Sequence, residues 1–226
     1  ISAAALIQDR KVLRYIGKKY ITARREMGFL VPSKGYEYAT IKGHKCAIIV
    51  GDDLSRERDF DQSVETVISI NARKYGKGTM TYRYEMMRNL AFVESKNLVL
   101  VNQVGGSTDI VYDGTSGALN SRGELVLMMK NFEEDFQIFD TKASARPITI
   151  PSTYNDRTRL VYEAARCGLR DFFRKNGYRK ASIGLSGGID SAVVASIAAD
   201  ALGAENVRAL LMPSPFSSLE SVEDAK

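Results

Sequence analysis

Apolar residues in this chain fall into short clusters separated by glycine, proline or charged residues, and the spacing inside each cluster predicts an element. Residues 1–16 hold two apolar runs, Ala3 to Ile7 and Val12 to Ile16, around the polar turn Asp9-Arg10-Lys11, which predicts a β-hairpin or two adjacent strands. Lys18 and Lys19 follow the second run. Gly28, Pro32 and Gly35 then mark loop to about Tyr38. Ile41 to Val50, IKGHKCAIIV, reads as a strand pair broken at Lys42-Gly43 and closed by Gly51-Asp52-Asp53. Phe60 to Thr66 is predicted helical, and Val67 to Ile70 a short strand. Tyr82 to Ser95 is predicted helical, with Tyr84, Met87, Leu90 and Ala91 at helical spacing. Leu98 to Val101 predicts a strand and residues 102–106 a turn out of it. Ile110 to Tyr112 and Leu125 to Met129 add two more strands. Strands with intervening helices and glycine turns describe a layered α/β or α+β domain.

The pattern then changes. Residues 140–157 are polar and contain Pro147 and Pro151, so they read as a linker between a first domain, 1–139, and a second, 158–226. Leu160, Ala164, Cys167 and Phe172 form an apolar stripe on a predicted amphipathic helix that ends at Asn176-Gly177. Ser182 to Leu185 reads as the end of a buried strand and Ser186-Gly187-Gly188 as a tight turn. Asp190 and Ser191 stand where a small, apolar helix begins, stopping near Gly203. Val207 to Met212 completes a strand–helix–strand unit, for which a right-handed crossover and parallel pairing are expected. Ligands in such sheets sit beyond the carboxyl ends of the strands, which puts Ser186 on one rim with Pro213, Ser214, Ser217 and Ser218. One such unit is too little for a doubly wound sheet, so this domain is expected to be incomplete as written. A chain beginning at Ile1 without methionine points the same way.

A strand, a glycine turn and a helix start make a phosphate-binding geometry. The first N–H groups of a helix lack partners, the macrodipole favours an anion there, and glycines let the backbone approach phosphate oxygens. Ser186 and Ser191 add hydroxyl donors. Asp190 repels phosphate, so its sense is as a ligand of the Mg²⁺ that travels with a nucleotide. The three residues Ser186-Gly187-Gly188 alone fit a plain turn with an N-cap equally well. The loop is not a Walker A motif, because the Gly-Lys-Ser/Thr ending is absent.

Composition narrows the field without deciding it. Of 226 residues, 44% are hydrophobic and 26% charged, which is ordinary for a globular protein of one or two domains. The net charge of +5 comes from basic residues interspersed with acidic ones, so no nucleic-acid partner is expected. Two distant cysteines, Cys46 and Cys167, each inside an apolar pattern, suggest neither zinc nor a disulfide and fit a reduced cytoplasmic protein. No apolar run reaches membrane-spanning length and no signal peptide is visible, so no membrane association is expected.

The longer string SGGIDS resembles the pyrophosphatase loop (PP-loop) of the N-type ATP pyrophosphatases. From about Leu160 onward the chain looks like the synthetase domain of NAD(+) synthetase, with Met212-Pro213-Ser214, Ser217-Ser218 and Asp224-Ala225 favouring it over GMP or asparagine synthetase. The first part resembles the nitrilase-type glutamine amidase domain of glutamine-dependent NAD(+) synthetases. Gly17-Lys18-Lys19-Tyr20-Ile21 looks like the segment with that family's catalytic lysine, which would be Lys18. Gly43 to Asp53 looks like the strand and elbow of its nucleophile, and Val101 to Gly106 with Asp113 to Ser116 matches a further signature. The fold class implied is α/β: a nitrilase-like α-β-β-α layered domain, then the start of a parallel-sheet, adenine-nucleotide α-hydrolase-like PP-loop domain. The resemblance implies ATP binding by Gly184, Leu185, Ser186, Gly187, Gly188, Ile189, Asp190 and Ser191, with Mg²⁺ on Asp190. It also implies deamido-NAD(+) and glutamine or ammonia as further substrates, and a homo-oligomer.

One departure matters most. The family reads Cys-Glu-Asp at the elbow, whereas this chain reads Gly51-Asp52-Asp53. A thiolate attacks the glutamine carboxamide, and glycine has no side chain to offer. Cys46 lies five residues earlier, an odd offset that puts it on the opposite strand face. Arg73 also stands near where a small serine is usual. The expectation is therefore an amide ligase whose glutamine hydrolysis is lost. Two alternatives stay open: another amidotransferase of the same loop superfamily, such as GMP synthetase, and a non-catalytic assembly protein with a dead amidase fold.

Overall fold

A computed structural model describes residues 2–21, 27–56, 60–138, 140–141, 146–154, 156–212 and 223–225. The chain forms two units, Ile1–Val104 with Tyr112–Pro151, and Gly105–Val111 with Ser152–Lys226.

The first unit opens with the expected hairpin, β1 (Ala3–Gln8) and β2 (Lys11–Gly17), paired antiparallel. Asp9 and Arg10 both take positive φ, the turn that suits the right-handed twist of two strands. Its six-stranded sheet contains β3 (Glu37–Ile41), β4 (His44–Val50), β5 (Thr66–Asn71), β6 (Asn97–Asn102), β9 (Gly117–Leu119) and β10 (Leu125–Met128), in the order β10-β9-β6-β5-β4-β3. β4, β5 and β6 run parallel, with Val50 opposite Ile70 and Ile70 opposite Val101. The outer pairs are antiparallel.

β4 is buried on both faces, as a parallel central strand should be. Ala47 and Ile49 are almost fully buried, as are Leu98 and Leu100 of β6. Against β6 and β9 lies helix α1 (Thr79–Glu94), which buries Met80, Arg83, Tyr84, Met87, Leu90 and Ala91. On the alternate positions, Cys46 and Ile48 cluster with Ile16 and Ala39, with Ala4 and Leu6 of the hairpin packed alongside.

Two sequence expectations for this region are corrected, and one strand was missed. Residues 60–65 are not helical: Asp61 accepts hydrogen bonds from the Ser63 amide (2.8 Å) and hydroxyl (2.6 Å), so the segment closes as a side-chain-held turn before β5. Residues 102–106 do not simply turn. Val104–Ser107 is β7, paired with β8 (Ile110–Asp113) around Thr108 at positive φ. β9 was unforeseen because three residues, Gly117-Ala118-Leu119, are too few to show alternation.

In the second unit, α2 (Arg157–Asn176) is capped by Asp156, whose carboxylate accepts the Arg159 amide at 3.0 Å, and ends at Gly177. Leu160, Ala164 and Cys167 are buried as expected. Phe172 is not; it is 48% exposed, and the next buried position is Asp171. Spacing explains the exchange, since 160, 164, 167 and 171 keep the helical repeat and 172 falls off it. The Asp171 carboxylate accepts the Gly106 amide at 2.7 Å, the Lys175 ammonium donates to the Gly106 carbonyl, and Arg174 stands 3.3 Å from the other carboxylate oxygen. A side chain on Gly105 would come within 2.6 Å of that carboxylate, so the contact needs glycine there. β11 (Ala181–Leu185) and β12 (Val207–Leu211) pair in parallel around α3 (Ile189–Leu202), as the sequence predicts.

Candidate active sites

The first candidate site lies where β4 ends. Gly51 has φ +63 and starts a 3-10 turn, Gly51–Ser55. A Cβ at position 51 would stand 3.4 Å from Lys18 Cε and 3.5 Å from Lys18 Nζ, ordinary contact distances. Lys18 is buried, although it follows directly on β2. Its amide donates to the Ser2 carbonyl at 2.8 Å, and its carbonyl accepts the Ser33 amide at 2.9 Å. Asp53, only 1% exposed, accepts the Lys19 and Tyr20 amides, each at 2.8 Å. Lys19 Nζ lies 3.9 Å from the centre of the Tyr36 ring, which packs on Phe60. Two residues that were distant in sequence, Lys18 and Gly51, are thus side by side.

A buried ammonium aimed at this position can stabilise negative charge developing on a bound carbonyl oxygen. The position itself carries no nucleophile. Cys46 does not replace it: its thiol is buried in the core cluster, and burial, aided by the charge of Glu65, pushes its pKa up.

At the end of β6, the signature residues Asn102, Asp113 and Gly114 form a hydrogen-bonded network with Arg83. Arg83 of α1 grips both Asp113 oxygens at 2.8 and 3.1 Å and the Gly114 carbonyl at 3.1 Å. Asn102 donates to Asp113 at 3.0 Å. Burial pushes the Asp113 carboxyl up, against the pull of the Arg83 guanidinium. Nothing in the helical spacing marked Arg83, because it shares the buried face with apolar residues. Arg73 lies at the end of β5, its amide donating to Asn102 Oδ1 at 2.8 Å.

The second candidate site is the turn between β11 and α3. Gly184 and Leu185 close the strand, Leu185 opposite Leu211. Gly187 takes φ +79, and Gly188 is the N-cap of α3. No side chain caps that helix start, so its first amides keep their capacity to bind an anion. Ser186 and Ser191 meet: their hydroxyls are 3.2 Å apart, the Ser186 amide donates to Ser191 Oγ at 3.3 Å, and Ser191 Oγ donates to the Gly188 carbonyl at 2.8 Å. Ile189 and Asp190 follow in the first turn of α3, both exposed. Pro213, Ser214, Ser217 and Ser218 lie outside the described residues. Among the described residues no cluster of three or more metal-ligating side chains occurs, and no helix is long and apolar enough to cross a membrane.

A family model described as NAD synthase matches residues 161–226, the segment that holds this turn. The chain is 35% identical over 246 aligned residues to glutamine-dependent NAD(+) synthetase of a Synechocystis strain, covering 99% of this chain and 44% of the relative. It is 31% identical to that of Acinetobacter baylyi, with 99% of this chain and 43% of the relative covered. The structure of glutamine-dependent NAD+ synthetase from Acinetobacter baumannii in complex with ADP superposes with a TM-score of 0.83 at 31% identity, over 99% of this chain and 44% of that one.

Over nearly its whole length the chain is similar to glutamine-dependent NAD(+) synthetases.

It spans about 44% of the length of the synthetases it matches. A Cytophaga hutchinsonii NAD(+) synthetase shares the fold with a TM-score of 0.69 at 16% identity. The relatives at 31% and 35% identity are NAD(+) synthetases, which disfavours the GMP synthetase alternative.

Proposed function

We propose that this chain is part of an enzyme that amidates deamido-NAD(+) at the expense of ATP. A carboxylate is a poor electrophile because its oxygen leaves badly. Transfer of the adenylyl group of ATP to the nicotinate carboxylate releases pyrophosphate and supplies AMP as a good leaving group. Ammonia then attacks the carbonyl carbon and displaces AMP, giving the amide of NAD(+). The observation that carries this reading is the turn after β11: a positive-φ glycine and an uncapped helix start at the carboxyl edge of a parallel pair. Backbone amides around Ser186, Gly187 and Gly188 would hold the departing pyrophosphate, with Ser191 contacting phosphate from the helix start. Asp190, exposed in the first turn, suits a Mg²⁺ site shared between one carboxylate and substrate phosphates. Bound there, the ion supplies charge neutralisation on the phosphates.

The nitrogen donor is free ammonia rather than glutamine. Lys18 still faces position 51, but Gly51 offers no thiol to form the acyl-enzyme through which a carboxamide is hydrolysed. The test is ATP-dependent conversion of deamido-NAD(+) to NAD(+) by the full-length protein, with ammonium chloride or glutamine as nitrogen source. Turnover with ammonium is expected to exceed that with glutamine by about 10²-fold or more, the scale on which losing a catalytic group acts. Equal rates would overturn the assignment of Gly51, and no turnover with either would favour a non-catalytic assembly role.

A further inference from the structure

We propose that Asp53 is a positioning residue: its buried carboxylate, bound to the Lys19 and Tyr20 amides, fixes the Lys18 ammonium against position 51. The meaning of that position as an amidase site rests on the functional reading above; the geometry stands by itself.

Asp53 lies two residues after Gly51 in the same 3-10 turn, so its backbone moves with the elbow. Its two oxygens divide their work, Oδ2 accepting from Lys19 and Oδ1 from Tyr20. The segment that carries Lys18 is thereby tied to the turn it faces, across 33 and 34 residues of sequence. These are charge-assisted bonds at a site from which water is excluded, where they are strongest. The lysine side chain has four methylene groups and wanders unless its root is held. The roots at the Ser2 carbonyl and the Ser33 amide hold the backbone of Lys18 itself. Asp53 sets the direction in which the chain leaves. Asparagine has the same shape but only one acceptor oxygen, so it would set an N–H₂ group against one of the two backbone amides. Glutamate keeps both acceptors and moves them by one methylene.

The test uses the full-length protein with Gly51→Cys as a reporter: a Cβ there meets Lys18 at ordinary contact distance, and because φ +63 strains any side chain, G51C is first shown to fold by circular dichroism. The pH dependence of iodoacetamide alkylation reads the thiolate at position 51. In G51C it is expected to titrate about one unit below the ordinary cysteine value of about 8.5, because the ammonium beside it favours the thiolate. Adding Asp53→Asn returns it to the ordinary value and lowers the alkylation rate at pH 7 about tenfold. Lys18→Met does the same, and combining the two changes nothing further. A G51C/D53N thiol that titrates like G51C overturns the proposal, because a merely structural aspartate would lower the melting temperature and leave the titration in place. A second measurement avoids the reporter: acetylation of Lys18 read by peptide mass spectrometry in the Gly51 protein. It is expected to quicken about tenfold in D53N, with D53E restoring at least part of the protection. An unchanged rate in folded D53N overturns the proposal as well. Neither readout involves ATP or deamido-NAD(+), so failure of the amidation reading would appear in the NAD(+) assay and leave these results intact.

Discussion

Two turns in this chain share a plan and differ in what glycine does for them. The turn after β4 and the turn after β11 each follow a strand paired in parallel, pass through a glycine at positive φ, and lead into a helical segment. Around Gly51 the surroundings are buried: Lys18, Asp53 and Leu54 are all closed off from solvent. Around Gly187 they are open, with Ser186, Gly188 and Asp190 exposed. On the proposed reading, the first turn belongs to a chemistry that needs a side-chain nucleophile, so glycine there subtracts the reacting atom. On the same reading, the second belongs to a chemistry that uses backbone N–H groups, so glycine there would let the reagent come near. The same residue at the same kind of bend is a loss in one place and a requirement in the other.

The largest effect should come from Gly187→Val. A β-branched residue at φ +79 is a steric outlier, and the loop would have to move its amides away from the phosphate. Ammonia-dependent NAD(+) formation is expected to fall by about 10³-fold, the scale set by removing preorganised donors, with the protein still folded by circular dichroism. Gly188 has φ −90 and a new Cβ there would lie 3.5 Å from Ser186 Oγ, so Gly188→Ala should lose only about tenfold. Equal losses in steady-state rate would break the comparison, since backbone conformation would then not be what the second turn depends on.

Cys46→Ala sharpens the other side. It removes a buried sulfur from the cluster with Ile16, Ala39 and Ile48, and should cost about 1 kcal/mol in urea denaturation. The ratio of ammonia- to glutamine-supported turnover should not change. A selective loss with glutamine would move the nucleophile to Cys46 and erase the contrast between the turns.

The smallest effect lies at the opposite end of β4. Lys45 and Ser63 hold the Asp61 carboxyl well below the usual carboxylate range, Lys45 first. A group with a depressed folded-state pKa stabilises the fold above its ordinary value, about 3.9, and loses that contribution as pH falls below it. Asp61→Asn should therefore flatten the acid limb of the melting-temperature profile slightly below about pH 4, leaving neutral pH unchanged apart from the lost ion pair. A flat profile in the parent protein would show that this exposed pair carries no measurable stability.

Much of this architecture could be read from residue order, for local reasons. The first hairpin announced itself through two apolar runs and a polar turn, and the β11–α3–β12 unit through an apolar strand, a glycine turn and a C-terminal glycine. What stayed hidden depends on partners far away in the chain. Residues 60–65 carry helix-compatible residues, but Asp61 spends its side chain on Ser63 and Lys45, a bond to another element that no local pattern reveals. Phe172 looked like the end of an apolar stripe, and only the approach of Gly105-Gly106 explains why a carboxylate takes the buried position beside it. At the elbow, Lys18 and the glycine at position 51 were legible through the family resemblance. Asp53 was not, because its role lies in backbone amides, which every residue but proline carries.

The bond between Gly106 and Asp171 also has a bearing on the order of synthesis. Its partners are separated by 65 residues, and those between Gly106 and Lys175 by 69. At about 5–20 residues per second, a ribosome needs several seconds after making Gly106 before its acceptor exists. Through that interval the Gly106 amide has no Asp171 carboxylate to meet. Cutting the gene at the start of α2 would make the wait permanent: Asp171 would be translated into a protein that no longer contains the amide it was placed to meet.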